Sequence, residues 1–258
     1  YGDHRDLHSF PTRRSSDLLV SLFGSQLSVR TVKNYRSAIA VIHRGFPDGT
    51  SVSDNPLISQ LIKGMFVSRP PIRQLVPAWD LPSVLSTLTR PPFEPMDSST
   101  LLNLSIKVAF LLGVATSRRR SELHALSTET GHIRWEPDGV RLVPRAGFLV
   151  KNQSESFAPP DIFVPDIKSR SSVPEDRLWC PVRALKWYLS RTRSLRTSEA
   201  HLFITTSPPH GPASRDTISR WLLSAIRADA NVSPSTLVRA HEVCVASTSW
   251  AFFPGAYL

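Results

Sequence analysis

The sequence predicts a mostly α-helical protein with a small antiparallel sheet, built as a helical N-terminal domain followed by an α+β domain. Three observations predict it. Apolar residues recur at helical spacing through most of the chain. Between His132 and Val164 that spacing gives way to short β-type runs, two of them flanking a Pro137-Asp138-Gly139 turn. The proline-stiffened run from Ser68 to Arg73 separates two segments of different character. The expected organisation is a segment 1–18 outside the fold, a helical domain over 19–69, a linker over 70–77 and a larger domain over 78–258.

Residues 1–18 have no apolar period, and the composition changes at Leu19. The stretch Asp6–Leu18 resembles translated sequencing-adapter sequence, so 1–18 is set apart as artefactual or disordered. Ser28 or Thr31 can cap a helix running to about Arg44, with Val32, Tyr35, Ile39 and Ile42 on one face. Asn55-Pro56 is a good cap and first-turn pair for a helix to about Phe66. Beyond the linker, Trp79–Leu88 reads as a short helix. Ser99–Gly113 reads as a strongly apolar one, with Leu101, Leu104, Val108 and Leu111 on a stripe. Thr116–Leu126 carries three successive arginines into a further helix. Strands are expected at His132–Trp135, Val140–Val143, Phe148–Lys151 and Asp161–Val164. Helices resume at Pro181–Thr192, Ser214–Asp229 and Arg239–Phe252.

The 258 residues are 41% hydrophobic and 20% charged, with a formal net charge of +10. Such a balance argues for a polyanionic partner, most often nucleic acid. Seven Lys and Arg face two Asp between Leu19 and Leu75, so the smaller domain is itself basic. The longest apolar run, Val108–Ala115, is far shorter than the ~20 residues a spanning helix needs, and no membrane partner is expected. Tyr1–Leu18 lacks the apolar centre of a secretory leader. Two cysteines, Cys180 and Cys244, cannot build a disulfide framework, which points to an intracellular setting, the nucleus included. The Asn-x-Ser patterns at Asn103, Asn152 and Asn231 are then chance matches.

Four pieces follow in order: Arg119-x-Ser121-Glu122-Leu123; Lys151 in the sheet region; a basic helix containing Ser219 and Arg220; and His241-Glu242-Val243-Cys244, continuing through Trp250. In this order they resemble the tyrosine recombinase, or phage-integrase-like, family. The wording around Ala240-His241 and Ser247–Ala251 looks like the recombinases of DIRS- and Ngaro-type retrotransposons. The resemblance runs from about Leu19 to the end. It implies that 19–69 is a partial core-binding domain and that 78–258 is a catalytic domain truncated at its C-terminus.

The chemistry has its own demands. Cutting and rejoining DNA without a cofactor needs a nucleophile that stores the phosphodiester bond covalently. It needs cations against the charge developing on the phosphoryl oxygens, and the planar fork of arginine suits a phosphate. A lysine or histidine can protonate the leaving oxygen. The resemblance implies a tyrosine, two arginines, a lysine, a histidine, and a later histidine or tryptophan, with no metal or other cofactor. Arg119 matches the first arginine, with Glu122 anchoring its turn. Lys151 matches the lysine and His241 the histidine.

Cys244 stands where the second arginine belongs, and a thiol cannot make a two-pronged phosphate contact. Losing such a clamp should cost on the order of 100-fold or more in rate. No nucleophile is identified: Tyr257 follows His241 too closely, and Trp250 reads as a packing residue within the last helix. Lys33, Arg36, Arg44, Arg118, Arg120, Arg215, Ser219 and Arg220 are candidate DNA contacts, each of which could equally lie on a solvated face.

The expected partner is double-stranded DNA, with a homo-oligomer on it. The reading is a recombinase-like protein of a mobile element, impaired in catalysis; a non-catalytic DNA-binding module is the alternative. A hydrolase using Cys244 and His241 lacks an oxyanion site and an orienting partner.

Overall fold

A computed structural model describes residues 10–71, 77–149, 161–196 and 200–252, with side chains from Ser15 to Ser249. These fall into two compact units that divide between Leu75 and Val76.

The first unit contains helices α1 (Phe10–Gly24), α2 (Val29–Ile42) and α3 (Pro56–Ser68). Helix α1 runs straight through the composition change at Leu19, a helix that the sequence reading did not anticipate. Leu19 is fully buried in its core, with Leu22 and Phe23 packed alongside. Of the two proposed caps Ser28 serves, its Oγ accepting from the Thr31 amide at 3.1 Å. Asn55 Oδ1 accepts from the amides of Leu57 and Ile58, with Pro56 in the first turn of α3. The apolar stripe expected on α2 is only partly correct. Val32 is buried and Ile39 packs on the core, but Tyr35 is 45% and Ile42 85% exposed. The inward face is Val29, Val32, Ile39 and Ala40, because three helices offer α2 only a narrow contact. Arg69 closes the unit, its guanidinium 3.8 Å from the Phe23 ring centroid.

The second unit is organised around one helix. It comprises α4 (Leu81–Thr87), α5 (Leu101–Thr116), α6 (Arg120–His124), β1 (Ile133–Glu136), β2 (Gly139–Leu142), β3 (Ile162–Pro165), α7 (Pro181–Thr192), α8 (Arg215–Arg227) and α9 (His241–Phe252). Every residue of α5 from Leu104 to Gly113 is buried, so that stretch carries no solvent face. Helices α7, α8 and α9 and strand β3 pack around it. Thr100 caps it, so α5 starts and ends later than its apolar run suggested. Asp80 caps α4 and leaves Trp79 just outside that helix, in the core.

The sheet is antiparallel in the order β1-β2-β3. Its hairpin pairs Glu136 with Gly139 and Trp135 with Val140. Gly139 is required by proximity: a Cβ there would lie 2.4 Å from the Val164 carbonyl oxygen. The strand expected at Phe148–Lys151 is corrected in part. Phe148 and Leu149 lie outside any strand, and 150–151 fall outside the described residues. The turn after β2, with Gly147 at φ +77°, has already taken the chain off the sheet.

One ionic group lies within this core. The Lys107 ammonium, fully buried, donates to Glu94 Oε1 at 2.5 Å and to the Leu88 carbonyl at 2.8 Å. Arg183 from α7 donates to both Glu94 oxygens, at 2.7 and 3.3 Å. Burial pushes the Glu94 carboxyl up, but the hydrogen bonds from Arg183 and Lys107 outweigh it and hold the carboxyl below its ordinary 4.5. Its contribution is therefore complete above pH 4.5 and lost as pH falls through the depressed native value. Glu94→Gln would leave Lys107 charged and unpaired, costing about 3–5 kcal/mol. We expect urea unfolding at pH 7 to show this loss. The acid-induced loss of wild-type stability below pH 4.5 should be shallower in the variant; unchanged acid unfolding would show that Glu94 does not govern it.

Candidate functional site

Helix α5 stops at a sharp corner. Ser117 adopts a left-handed backbone, φ 51°, and its amide bonds back to the Val114 carbonyl. That turn delivers Arg118, Arg119 and Arg120 to one place at the start of α6. Glu122, on α6 and only 6% exposed, anchors the turn. Its Oε2 accepts from Arg118 Nη1 at 3.0 Å, while its Oε1 lies 3.7 Å from Arg119 Nη1. The Arg119 side chain keeps 44% of its surface exposed. The buried carboxylate is thus shared unequally, with Arg118 taking the closer contact. Arg120 reaches across to Asp216 at 2.8 Å, an exposed pair on α8.

Helix α9 supplies the other side. Its first residue, His241, is exposed, and Val243 and Ala246 point into the core. The Cys244 thiol donates to the Ser117 carbonyl. Ser247 Oγ donates to the Val114 carbonyl and lies 2.8 Å from Ser117 Oγ. Glu242 Oε2 accepts from the Trp79 indole at 3.1 Å and from the Arg239 amide at 3.2 Å, fixing the start of the helix. Gly113 keeps the core closed here: a Cβ on it would meet Val243, Leu222 and Leu123 at 3.5–3.7 Å.

Between these elements lies an open cleft of about 370 Å³, lined by Arg118, Arg119, Arg120, Ser121, Ser219, Ala240, His241 and Cys244. Three guanidinium groups at its wall face two carboxylates, buried Glu122 and exposed Asp216, so the cleft keeps a net positive charge and can receive an anion with several oxygens. Burial pushes the Cys244 thiol up; the charges of Arg119 and Arg118 offset this only in part. Near pH 7 it is a neutral hydrogen-bond donor, which does not suit a cysteine–histidine nucleophile. Among the described residues no cluster of three or more His, Cys, Asp or Glu could hold a metal ion.

The cleft therefore gathers Arg118, Arg119, Arg120, Ser219, His241 and Cys244 from the sequence candidates. Arg215 and Arg220 are exposed on α8 outside its lining. Lys33 and Arg44 are exposed on the first unit. Arg36 is half-buried there, its Nε enclosed without a hydrogen-bond partner among the described residues. Lys151 and Tyr257 lie outside the described residues, as does the Trp250 side chain. The sequence reading missed Trp79, Glu242, Ser117 and Ser247, which set the geometry. Glu242, three residues after Arg239, carried a capping-box-like signal; the other three carried none, because their partners are remote in sequence.

Iodoacetamide alkylation of Cys244 should follow a pH profile with its midpoint above the ordinary 9.0. Because the Arg119 charge favours the thiolate, Arg119→Ala should slow alkylation further at any fixed pH below that midpoint. Peptide mapping separates Cys244 from buried Cys180, and faster labelling in the variant would contradict this electrostatic account.

No family profile matches this sequence, and no curated protein matches it. Solved structures do match. A lambda integrase dimer bound to a COC′ core site shares 14% identity at a TM-score of 0.50, over 97% of this chain and 59% of that one. A lambda integrase tetramer bound to a Holliday junction shares 15% identity at a TM-score of 0.41, over 99% and 78%. XerA recombinase shares 16% at 0.43, over 94% and 78%. The chain thus spans 59% of the integrase chain in the dimer. The likeness to the lambda integrase dimer is one of fold, with helices around a central α5 and a three-stranded antiparallel sheet.

Proposed function

We propose that this chain binds double-stranded DNA through the cleft between the Ser117 corner and α9, as a tyrosine-recombinase-like protein whose strand-transfer chemistry is impaired. The observation that carries this reading is the meeting of Arg119 and His241 in one open, positive cleft. Arg119 would grip a phosphate through its exposed fork, and His241 at the rim would donate a hydrogen bond to the same group. Arg118 mainly holds Glu122. Arg120 can exchange Asp216 for a phosphate, since an exposed pair of this kind is worth about 0–1 kcal/mol. Arg215, Ser219 and Arg220 extend the contact along α8, and Lys33, Arg36 and Arg44 are assigned to the smaller domain's contact. Lys151 is assigned the leaving-group proton.

Cys244 is the ground for the impairment. In the resemblance this position carries a second arginine, whereas here a neutral thiol is turned onto a backbone carbonyl. The same observation favours a second reading, a module that binds DNA without cutting it. The likeness of the His241–Ala251 wording to DIRS and Ngaro recombinases supports a mobile-element origin. On that origin we assign the protein to nuclear or other intracellular DNA, with a homo-oligomer on it and no membrane partner. The domains would be a core-binding unit that includes α1 from Phe10 and runs to 69, and a catalytic-type unit from 78, joined by 70–77.

Fluorescence anisotropy with duplex DNA over a salt series tests the binding. We expect log K to fall linearly with log salt, and Arg119→Ala to weaken binding roughly tenfold and flatten the slope by about one unit. Cys244→Arg should steepen it by a similar amount. A flat salt dependence in wild type would sink the phosphate-cleft reading. Incubation with a nicked duplex, followed by denaturing electrophoresis, should give no covalent adduct; an adduct lost in Tyr257→Phe would overturn the impairment.

A further inference from the structure

A second positive surface, sharing no lining residue with the cleft, lies along the outer face of α7. Arg183, Lys186, Trp187, Ser190 and Arg193 recur there at helical spacing, forming one stripe. Two hollows adjoin through Lys186. One, of about 330 Å³, is bounded by Lys168, Arg177, Arg183, Lys186 and Trp187; the other, of about 500 Å³, by Trp135, Lys186, Leu189, Ser190 and Arg193.

Two features separate this face from an ordinary solvated one. The first is exposed tryptophan: Trp135 is 47% and Trp187 37% exposed, and neither is needed to close the core. Trp179, at the end of the 3-10 turn Pro174–Trp179, is another at 37%. Large exposed apolar rings beside cations mark a binding surface. Lys186 Nζ lies over the Trp135 ring, 5.1 Å from its centroid, so one ring face holds a cation and a base would stack on the other.

The second feature is charge. Among the described residues Lys168, Arg177, Lys186 and Arg193 take part in no ion pair, while of the carboxylates around them Asp166, Asp176 and Glu94 are hydrogen-bonded and Glu175 is exposed. Asp166 accepts from the Lys168 amide at 3.0 Å and from Cys180 Sγ at 3.3 Å. Asp176 accepts from Ser171 Oγ at 2.6 Å. Glu94 is held by Lys107 and Arg183.

We propose that this face binds single-stranded DNA, its bases stacking on Trp135 and Trp187 while Lys168, Arg177, Lys186 and Arg193 hold the phosphates. Stacking needs bases whose faces are open, which a paired duplex does not offer. The stripe from Arg183 to Arg193 is about 15 Å long at 1.5 Å per residue, room for a few nucleotides. Since a ribose 2′-hydroxyl both donates and accepts, the lining itself makes no choice of sugar. DNA is assigned because the cleft is read as a DNA site, and the oligo(U) arm of the test checks that choice.

The test is fluorescence anisotropy of the full chain with a labelled oligo(dT), in the presence of saturating unlabelled duplex DNA. We expect binding to persist under the duplex. Trp135→Ala and Trp187→Ala should each weaken it roughly tenfold, with Trp135→Phe retaining most of the affinity. Lys186→Ala should flatten the salt slope by about 0.7 and, like the Phe variant, guards against a fold lost with a tryptophan; thermal melts identify any such loss. Displacement of oligo(dT) by the duplex, alanine variants within twofold of wild type, displacement by polyglutamate, or an oligo(U) RNA preferred tenfold would each overturn the proposal. None of these results bears on duplex binding at Arg119, which the salt series reads separately.

Discussion

The candidate site depends on how one buried helix ends. The last carbonyls of an α-helix have no partners inside it, and the Val114 carbonyl of α5 and that of its Ser117 cap lie against α9. They are met from another part of the chain: Ser247 donates to the Val114 carbonyl, and the Cys244 thiol donates to that of Ser117. Helix α9 is thereby tied to the same corner that aims Arg118, Arg119 and Arg120. With Cys244 on the corner carbonyl, His241 falls one turn earlier on α9, beside the arginines. The Trp79–Glu242 hydrogen bond holds that first turn from the other side. The cleft is what remains between two elements that backbone satisfaction requires to meet.

Charge at the corner is balanced in the same local way. Three adjacent guanidinium groups repel one another, and burying a single carboxylate among them relieves part of this at the cost of desolvating Glu122. Two-sided contact with Arg118 and Arg119 offsets that cost, because a buried carboxylate left with one cation would have unmet lone pairs. The unequal distances, 3.0 and 3.7 Å, leave Arg119 the more available of the two. Electrostatic anchoring and ligand contact are thus divided between neighbours in sequence. Glu94 shows the contrasting case: deep in the core it is saturated by Lys107 and Arg183, and it contributes to stability alone.

How far the sequence disclosed this depended on whether a residue's partner lay nearby in the chain. The helices announced themselves through apolar spacing and, in the first unit, through caps at Ser28 and Asn55, where donor and acceptor sit three residues apart or fewer. Arg119 and His241 could be named because residue type and order carried a resemblance, although nothing local said that they would meet. The failures share one cause. Tyr35 and Ile42 fit a stripe that the small first unit is too narrow to cover. Phe10–Leu18 was excluded on composition, yet its helix continues into buried Leu19. Ser117, Ser247 and Trp79 are ordinary residues whose roles exist only once α5 and α9 are side by side.

Cys244 shows why fold and chemistry can part. What the structure asks of that position is a donor for the Ser117 carbonyl and a side chain small enough to sit half-buried beside α5. A thiol meets both requests as a neutral group, and burial keeps it neutral. Neither request concerns a phosphate. An arginine there would serve the cleft, but the packing of Val243 and Ala246 and the Ser247 contacts would hold α9 in place regardless. Stability therefore favours a small donor at this position, whatever the cleft would ask of it. Likeness to integrase at 14% identity speaks for the helices around α5; whether a strand can be cut is decided by which side chains stand at the corner.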